Sequence, residues 1–281
     1  MKKIVFCGFG KLGKECMRVL IAHGHQIYFI MTHKENEKDS VDTFAQKLEI
    51  DFTYVDARKN LDGIIAIISK NKYDLLVSVN YRFIIPEKIF LLVDTAINIH
   101  GSILPRYRGR TPHVWSIING EKESGITCHL MEETVDTGDI VSQMTIPIDD
   151  DDTGYTLLKK YELNYPRLLI DSIKKIDKGI SFLKQDDRYA SYYGKRTPEM
   201  GYIDFRKPAV DVINFVRAQA EPYPGAYYFL LDGRKIIINK ISVNEINNFD
   251  IPIGVIRVLE NNYYIRCNDR LLSIIDYRII N

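Results

Sequence analysis

The chain has 281 residues, 46% of them hydrophobic, enough for one large domain with a small one, or two medium ones, around real cores. With 38 Lys and Arg against 37 Asp and Glu the formal charge is +1, which gives no bulk electrostatic reason to expect nucleic acid as a partner. The four cysteines lie far apart with no C-x-x-C pair, and no run approaches the roughly 18 apolar residues of a membrane span. Metal, disulfide and membrane readings are therefore set aside, and buried thiols in a cytoplasmic protein are expected.

In chain order, residues 3–7, 26–31, 52–55, 74–78 and 95–100 are β-branched runs that read as strands, while 11–23, 41–48 and 61–71 carry apolar residues at helical spacing. This alternation predicts an α/β fold with a mainly parallel sheet and helices on both faces. Ligands then gather at the carboxyl ends of the strands. Thr111-Pro112 reads as N-cap and first residue of a short helix that stops at Asn119-Gly120. Residues 126–131 and 140–148 read as strands joined around Asp136-Thr137-Gly138-Asp139. A long helix over 153–178 follows, ended by Gly179 and expected to kink or break at Pro166. From Phe205 the pattern changes to one helix (209–220), the turn Pro222-Tyr223-Pro224-Gly225, and short strands at 235–239, 255–259 and 263–267. These suggest a small β-barrel, OB-like, and give two domains, 1–204 and 205–281.

Gly8, Gly10 and Gly13 follow the first strand with the spacing G-x-G-x-x-G that cradles a dinucleotide pyrophosphate. Such a site also needs an acidic residue at the end of the second strand to hold the ribose. That strand ends Phe29-Ile30-Met31-Thr32-His33, and Glu35 comes only after Lys34 in a polar loop. NAD is not expected. Two readings stay open: glycines that let the chain turn and the first helix pack, or a loop lining some other nucleotide.

The chemistry-bearing stretch is 96–110. Side chains two apart on a strand share a face, so Asn98 and His100 project together, away from Ile97 and Ile99. At the end of a central strand this is a place for catalytic groups, and Gly101 lets the chain leave the sheet without crowding. Taken alone, the pair also fits satisfied core polar groups, and Asp136-Thr137-Gly138 fits a plain turn.

Together the segments resemble the formyltransferase family that uses N10-formyltetrahydrofolate. The matching residues are Asn98, His100, Gly101, Ser102, Leu104, Pro105, Arg108 and Gly109, then Ser124-Gly125-Ile126-Thr127 and Asp136-Thr137-Gly138. Val216-Arg217-Ala218 and Pro222-Tyr223-Pro224-Gly225-Ala226 resemble the start of the family's appended barrel, so the likeness covers nearly the whole chain. The family's first domain is a Rossmann-like sheet that holds no NAD.

The resemblance implies catalytic roles for Asn98, His100 and Asp136: an amide for the formyl oxygen, an imidazole to move the proton, and a carboxylate to orient that imidazole. It implies that Phe83, Ile84 and Ile85, with Glu132, Glu133, Thr134 and Val135 and with Arg110, line the folate site, and that no metal is needed. Ser102, Arg108, Lys195 and Arg196 are implied to meet the acceptor, the last two through a diphosphate, with Tyr192, Tyr193 or Tyr202 stacking on a base. Among acceptors, Gly101-Ser102 is unlike the enzymes acting on glycinamide ribonucleotide and the formyl-folate hydrolases. Arg108-Gly109-Arg110-Thr111-Pro112 and Gly194-Lys195-Arg196-Thr197-Pro198 resemble segments of the nucleotide-sugar N-formyltransferases acting on UDP- or dTDP-linked amino sugars. The expected partner is thus a nucleotide-linked 4-amino-4-deoxy sugar destined for lipopolysaccharide or O-antigen, with no nucleic acid or membrane involved and a homodimer admitted. Methionyl-tRNA formyltransferase is the alternative. It shares His-Gly-Ser, but the loop at 33–40 is short and mixed in charge, where the tRNA enzymes carry an Arg-Gly-rich insertion.

Overall fold

The computed structural model describes residues 1–34, 39–245 and 250–280; Glu35 and the middle of the 33–40 loop lie outside the described residues. The chain opens with β1 (Lys3–Gly8), α1 (Gly10–Ala22), β2 (Gln26–Met31), α2 (Val41–Lys47), β3 (Phe52–Thr53), α3 (Leu61–Ile68), β4 (Tyr73–Val79), the one-turn α4 (Glu87–Phe90) and β5 (Val93–His100). A two-residue strand β6 (Arg108–Gly109) and α5 (Pro112–Ile118) precede β7 (Glu123–Leu130), β8 (Ile140–Pro147), α6 (Gly154–Asp177) and the short β9 (Tyr192–Tyr193). Then come α7 (Ala209–Ala218) and five strands, β10 (Ala226–Phe229), β11 (Lys235–Val243), β12 (Ile256–Leu259), β13 (Asn262–Arg266) and β14 (Leu271–Ile280).

Packing divides the chain into two compact units. The first holds Met1–Gly109, Gly125–Ile146 and Lys160–Tyr192; the second holds Arg110–Ser124, Pro147–Lys159 and the chain from Tyr193 onward. The large sheet has the order β3-β2-β1-β4-β5-β7-β8, with β1 to β5 paired in parallel and β7 antiparallel to β5. This is the α/β sheet that the alternating pattern implies. β1 and β4 are apolar almost throughout because both of their faces are covered. Val5, Cys7, Phe29, Met31 and Leu76 pack against Ile64 and Ile68 of α3 and Ile89 of α4. All four cysteines are buried free thiols.

Gly13 explains part of the glycine loop. A Cβ there would stand 2.8 Å from Cγ2 of Val41 and 3.3 Å from the carbonyl carbon of Gly8, so α1 lies against the end of β1 and the start of α2 too closely for any side chain. Gly10 takes φ +66°, which lets the chain turn from strand into helix. α2 is capped at its N-terminus by a capping box of Ser40 and Thr43.

The break expected at Pro166 does not occur: α6 runs as one helix over 24 residues. Proline removes one intrahelical bond, but Tyr161, Tyr165, Leu168, Leu169 and Ile173 around it are all buried, and that packing holds the helix through the gap.

In the second unit, β10-β11-β14-β13-β12 form a five-stranded antiparallel sheet. Ala209, Val212 and Val216 of α7 share a core with Ile236, Ile238, Ile265 and Leu272 of the sheet and with Ile203 and Phe205. Pro112 opens α5 and Gly120 ends it at φ +72°, as the sequence implies, but Thr111 before the helix takes φ +50° and its side chain makes no cap hydrogen bond, so it does not act as the expected N-cap. β10 and β14 are strands the sequence reading did not mark. Among the described residues no helix is long and apolar enough to cross a membrane.

Replacing Gly13 by Ala should lower unfolding free energy by about 1–3 kcal/mol, because the stiff Val41 side chain and the Gly8 backbone must both give way. Urea unfolding of the two proteins measures it; equal midpoints would show that the close approach carries no packing constraint.

Candidate active site

β5 delivers its polar residues as strand alternation requires. Ile97 and Ile99 are buried on one face, and Asn98 and His100 lie on the other. The antiparallel register with β7 pairs Asn98 with His129 and His100 with Thr127. Those two residues of β7 thus share the face of Asn98 and His100.

Four side chains converge there. Nδ1 of His100 is 3.4 Å from Oδ2 of Asp136, and Nε2 of His129 is 3.6 Å from Oδ1 of the same carboxylate. Asn98 Nδ2 lies 3.1 Å from His129 Nε2. The amide of Gly109 donates to Asp136 Oδ2 at 2.9 Å. His100 Nε2 is 2.8 Å from the carbonyl of Tyr107, so each of its nitrogens faces an oxygen acceptor. His129 Nδ1, 2.7 Å from the Leu130 carbonyl, donates to it, which leaves Nε2 to accept from Asn98. His100, His129 and Asp136 are buried, and Asn98 is half-buried.

Electrostatics follow from this geometry. Burial alone would push the Asp136 carboxyl up; the rings of His100 and His129 and the Gly109 amide outweigh it and hold the group well below the ordinary carboxylate range. The site therefore keeps an anion buried against the His100 ring and the Gly109 amide, with the His129 ring 3.6 Å away. Among the described residues no group of three or more His, Cys, Asp or Glu is placed to hold a metal ion.

The loop after His100 is pinned by hydrogen bonds. Tyr161 donates to the Gly101 carbonyl at 3.1 Å, and Thr127 donates to that of Ser102 at 2.6 Å while accepting from the Leu104 amide at 3.2 Å. Ser102 is fully buried, and its hydroxyl donates to the Arg106 carbonyl at 2.6 Å. Arg108 is 1% exposed and bonded to Gln185, Asp187 and Tyr192. In this arrangement both side chains hold the protein's own loops. Arg196, in the second unit, bonds the Met200 carbonyl and Gln219 and lies over Trp115 at 4.7 Å, so it too is occupied by its surroundings. Lys195 and Arg110 of that unit are exposed. Of the tyrosines, Tyr193 packs on Trp115 and Tyr202 on Tyr228, and Tyr192 meets Arg108.

The segments implied to hold folate differ in character. Phe83 is half-buried against His33 at 4.4 Å and Tyr81 at 5.7 Å, Ile85 is buried, and Ile84 is 52% exposed. His33 accepts the Arg82 amide at 3.0 Å, and burial, then the Arg82 charge, lowers its ring to about 4. Glu132, Glu133, Thr134 and Val135 are all exposed, next to Asp136 in the chain.

His129 and Gln185 were not singled out from the sequence. For His129 the signal was present: it stands two residues after Thr127 in a recognised strand, on the same face. Gln185 lies in an irregular stretch with no periodicity to read.

Because the folded carboxyl of Asp136 is depressed, its stabilisation is complete above the unfolded value near ~4 and is lost as pH falls through the folded value. The stability advantage of the natural protein over Asp136→Asn should accordingly shrink as pH drops below about 4. Urea melts of both proteins across pH 7 to 2.5 read it; a constant gap would mean that the carboxylate is not held in this way.

The profile of the family described as formyl transferase matches residues 12–173, and that of the formyl transferase C-terminal domain matches 195–280. The methionyl-tRNA formyltransferase of Caldanaerobacter subterraneus subsp. tengcongensis is 31% identical over 98% of this chain and 91% of its own. The bifunctional polymyxin resistance protein ArnA of Wigglesworthia glossinidia brevipalpis is 35% identical over 98% of this chain, which spans only 42% of that protein. WlaRD, a sugar 3N-formyl transferase crystallised in the presence of dTDP and 5-N-formyl-THF, superposes with a TM-score of 0.78 over 100% of this chain and 98% of its own; at 24% identity that likeness speaks for the fold alone. With both domain profiles matched along the chain, this protein belongs to the formyl transferase family and is an enzyme of formyl transfer.

Proposed function

We propose that the enzyme moves the formyl group of N10-formyltetrahydrofolate to the amine of a nucleotide-linked amino sugar, a 4-amino-4-deoxy sugar carried on UDP or dTDP, as a cytoplasmic step toward lipopolysaccharide or O-antigen. The observation that carries the chemistry is the meeting of His100 with the buried carboxylate of Asp136, 36 residues further along the chain, with Asn98 joined to the same carboxylate through His129. We take residues 1–204 as the catalytic domain and 205–281 as its C-terminal companion.

N10-Formyltetrahydrofolate supplies an electrophilic formyl carbon on an arylamine nitrogen. The residues present suit it: the site offers amide and imidazole N–H donors, and the exposed Ile84 and Val135 are apolar surfaces in the segments assigned to the pterin. Asn98 has two amide protons. One goes to His129, and the second is left to donate to the formyl oxygen as negative charge develops there. His100 takes the proton shed by the attacking amine at Nε2, where the amine displaces the Tyr107 carbonyl, and passes it to N10 as the bond from the formyl carbon to N10 breaks and tetrahydrofolate leaves; Asp136 orients the ring through Nδ1 and balances its charge.

For the acceptor, support comes from the segments 108–112 and 194–198 that resemble the nucleotide-sugar N-formyltransferases, from the 35% identity to ArnA, and from the near-neutral charge of the chain. A second reading, formylation of methionyl-tRNA, is favoured by the 31% identity to a methionyl-tRNA formyltransferase over nearly its full length.

Purified protein given N10-formyltetrahydrofolate and a panel of UDP- and dTDP-linked 3- and 4-amino sugars should release tetrahydrofolate with one of them. Turnover with charged initiator tRNA and with none of the sugars would replace the first reading by the second. With the active acceptor, His100→Ala should lower kcat by about 10²–10⁴ with an unchanged circular-dichroism spectrum; a rate within a factor of about two would remove His100 from the chemistry.

A further inference from the structure

The carboxamide of Gln185 uses its full hydrogen-bonding capacity on two segments distant in sequence. Nε2 donates to the carbonyls of Asp136 at 2.9 Å and Gly138 at 2.8 Å. Oε1 accepts from Nε of Arg108 at 3.1 Å and from Nη2 at 2.7 Å. Arg108 is itself fixed: its Nη1 donates to the Tyr192 hydroxyl at 2.5 Å, its Nη2 to Asp187 at 2.8 Å, and its backbone amide to the Ser191 carbonyl at 2.8 Å. The next residue, Gly109, sends its amide to the Asp136 carboxylate. One short strand therefore grips Asp136 twice, directly at the carboxylate and through Gln185 at the main chain.

The turn needs that grip. Asp136 has φ +60°, a left-handed conformation that a residue with a Cβ adopts at a cost. The four residues before it are exposed and offer no packing to enforce the conformation. Gly138 is pressed onto the Leu130 carbonyl, where a Cβ would collide, so the turn is anchored on that side. Without donors for the Asp136 and Gly138 carbonyls, rotation of φ back to the common region swings the carboxylate away from both imidazoles.

We propose that Gln185, held in place by the buried guanidinium of Arg108, is a positioning residue that locks the Asp136 turn in its left-handed form and so keeps the carboxylate between His100 and His129. Its effect on rate rests on the role given to Asp136 under Proposed function; its effect on the geometry does not. Gln185 touches no reacting atom in this account, and Arg108 serves it at one remove.

Gln185→Ala tests the idea by two routes. In protein with ¹³C-labelled Asp carboxyl groups, the signal lost in Asp136→Asn identifies Asp136. In the natural protein it stays ionised below the usual carboxylate range, and in Gln185→Ala its titration should climb toward about 4. With the acceptor found in the panel above, kcat should fall by about 10–100-fold, with KM for N10-formyltetrahydrofolate within about threefold. The same substitution should add little in an Asp136→Asn background, which a general loss of stability would not reproduce. An unmoved Asp136 titration in Gln185→Ala overturns the proposal. A moved titration with full activity keeps the brace and overturns Asp136 as a catalytic group. Should Gln185→Ala fail to fold, Arg108→Lys, which keeps the charge but loses the two-pronged contact to Oε1, is read by the same titration with the same expectation.

Discussion

A carboxylate buried among donors is the constraint around which the first unit is arranged. Removing Asp136 from water costs several kcal/mol unless its oxygens are bonded, and here they face two imidazoles and one backbone amide. The imidazoles come from neighbouring strands of the large sheet and the amide from a two-residue strand outside it. Each partner is itself held by a further bond: His100 by the Tyr107 carbonyl, His129 by the Leu130 carbonyl, Gly109 by the Arg108 network beside it. The antiparallel pairing of β5 with β7 sets this up, since it is the register that places His129 opposite Asn98.

The glycine loop sits at the carboxyl end of β1, on the same edge of the sheet as His100 at the end of β5. Gly13 allows α1 to lie against the end of β1, and where a dinucleotide site would have its acidic side chain the chain passes from β2 into Thr32 and His33. The His33 ring accepts the Arg82 amide and packs among Phe9, Tyr81 and Phe83. That cluster stiffens the segment after β4, the segment assigned to the pterin.

Much of this was legible in the sequence, and for physical reasons. Period-two and period-3.6 patterns exposed the parallel strands and helices of the first hundred residues, and strand alternation alone put Asn98 and His100 on one face. What escaped depended on tertiary partners. Two-residue strands such as β6 carry no periodicity, Pro166 reads as a break until its buried neighbours are known, and the resemblance could name Arg108 but not that its guanidinium faces inward to Gln185. Gln185 had no local signal because its meaning lies wholly in two segments about 50 and 80 residues away, a kind of contact that neither periodicity nor turn chemistry encodes.

In the proposed reaction the amide of Asn98 and the pair of His100 and Asp136 surround one reacting carbonyl. A crystal structure with bound 5-formyltetrahydrofolate tests it most directly. The ligand's formyl group is expected within about 3–4 Å of Asn98 Nδ2 and the His100 ring, with Asp136 still against that ring. A folate bound elsewhere, or an Asp136 turned out to solvent while the ligand is in place, would contradict it.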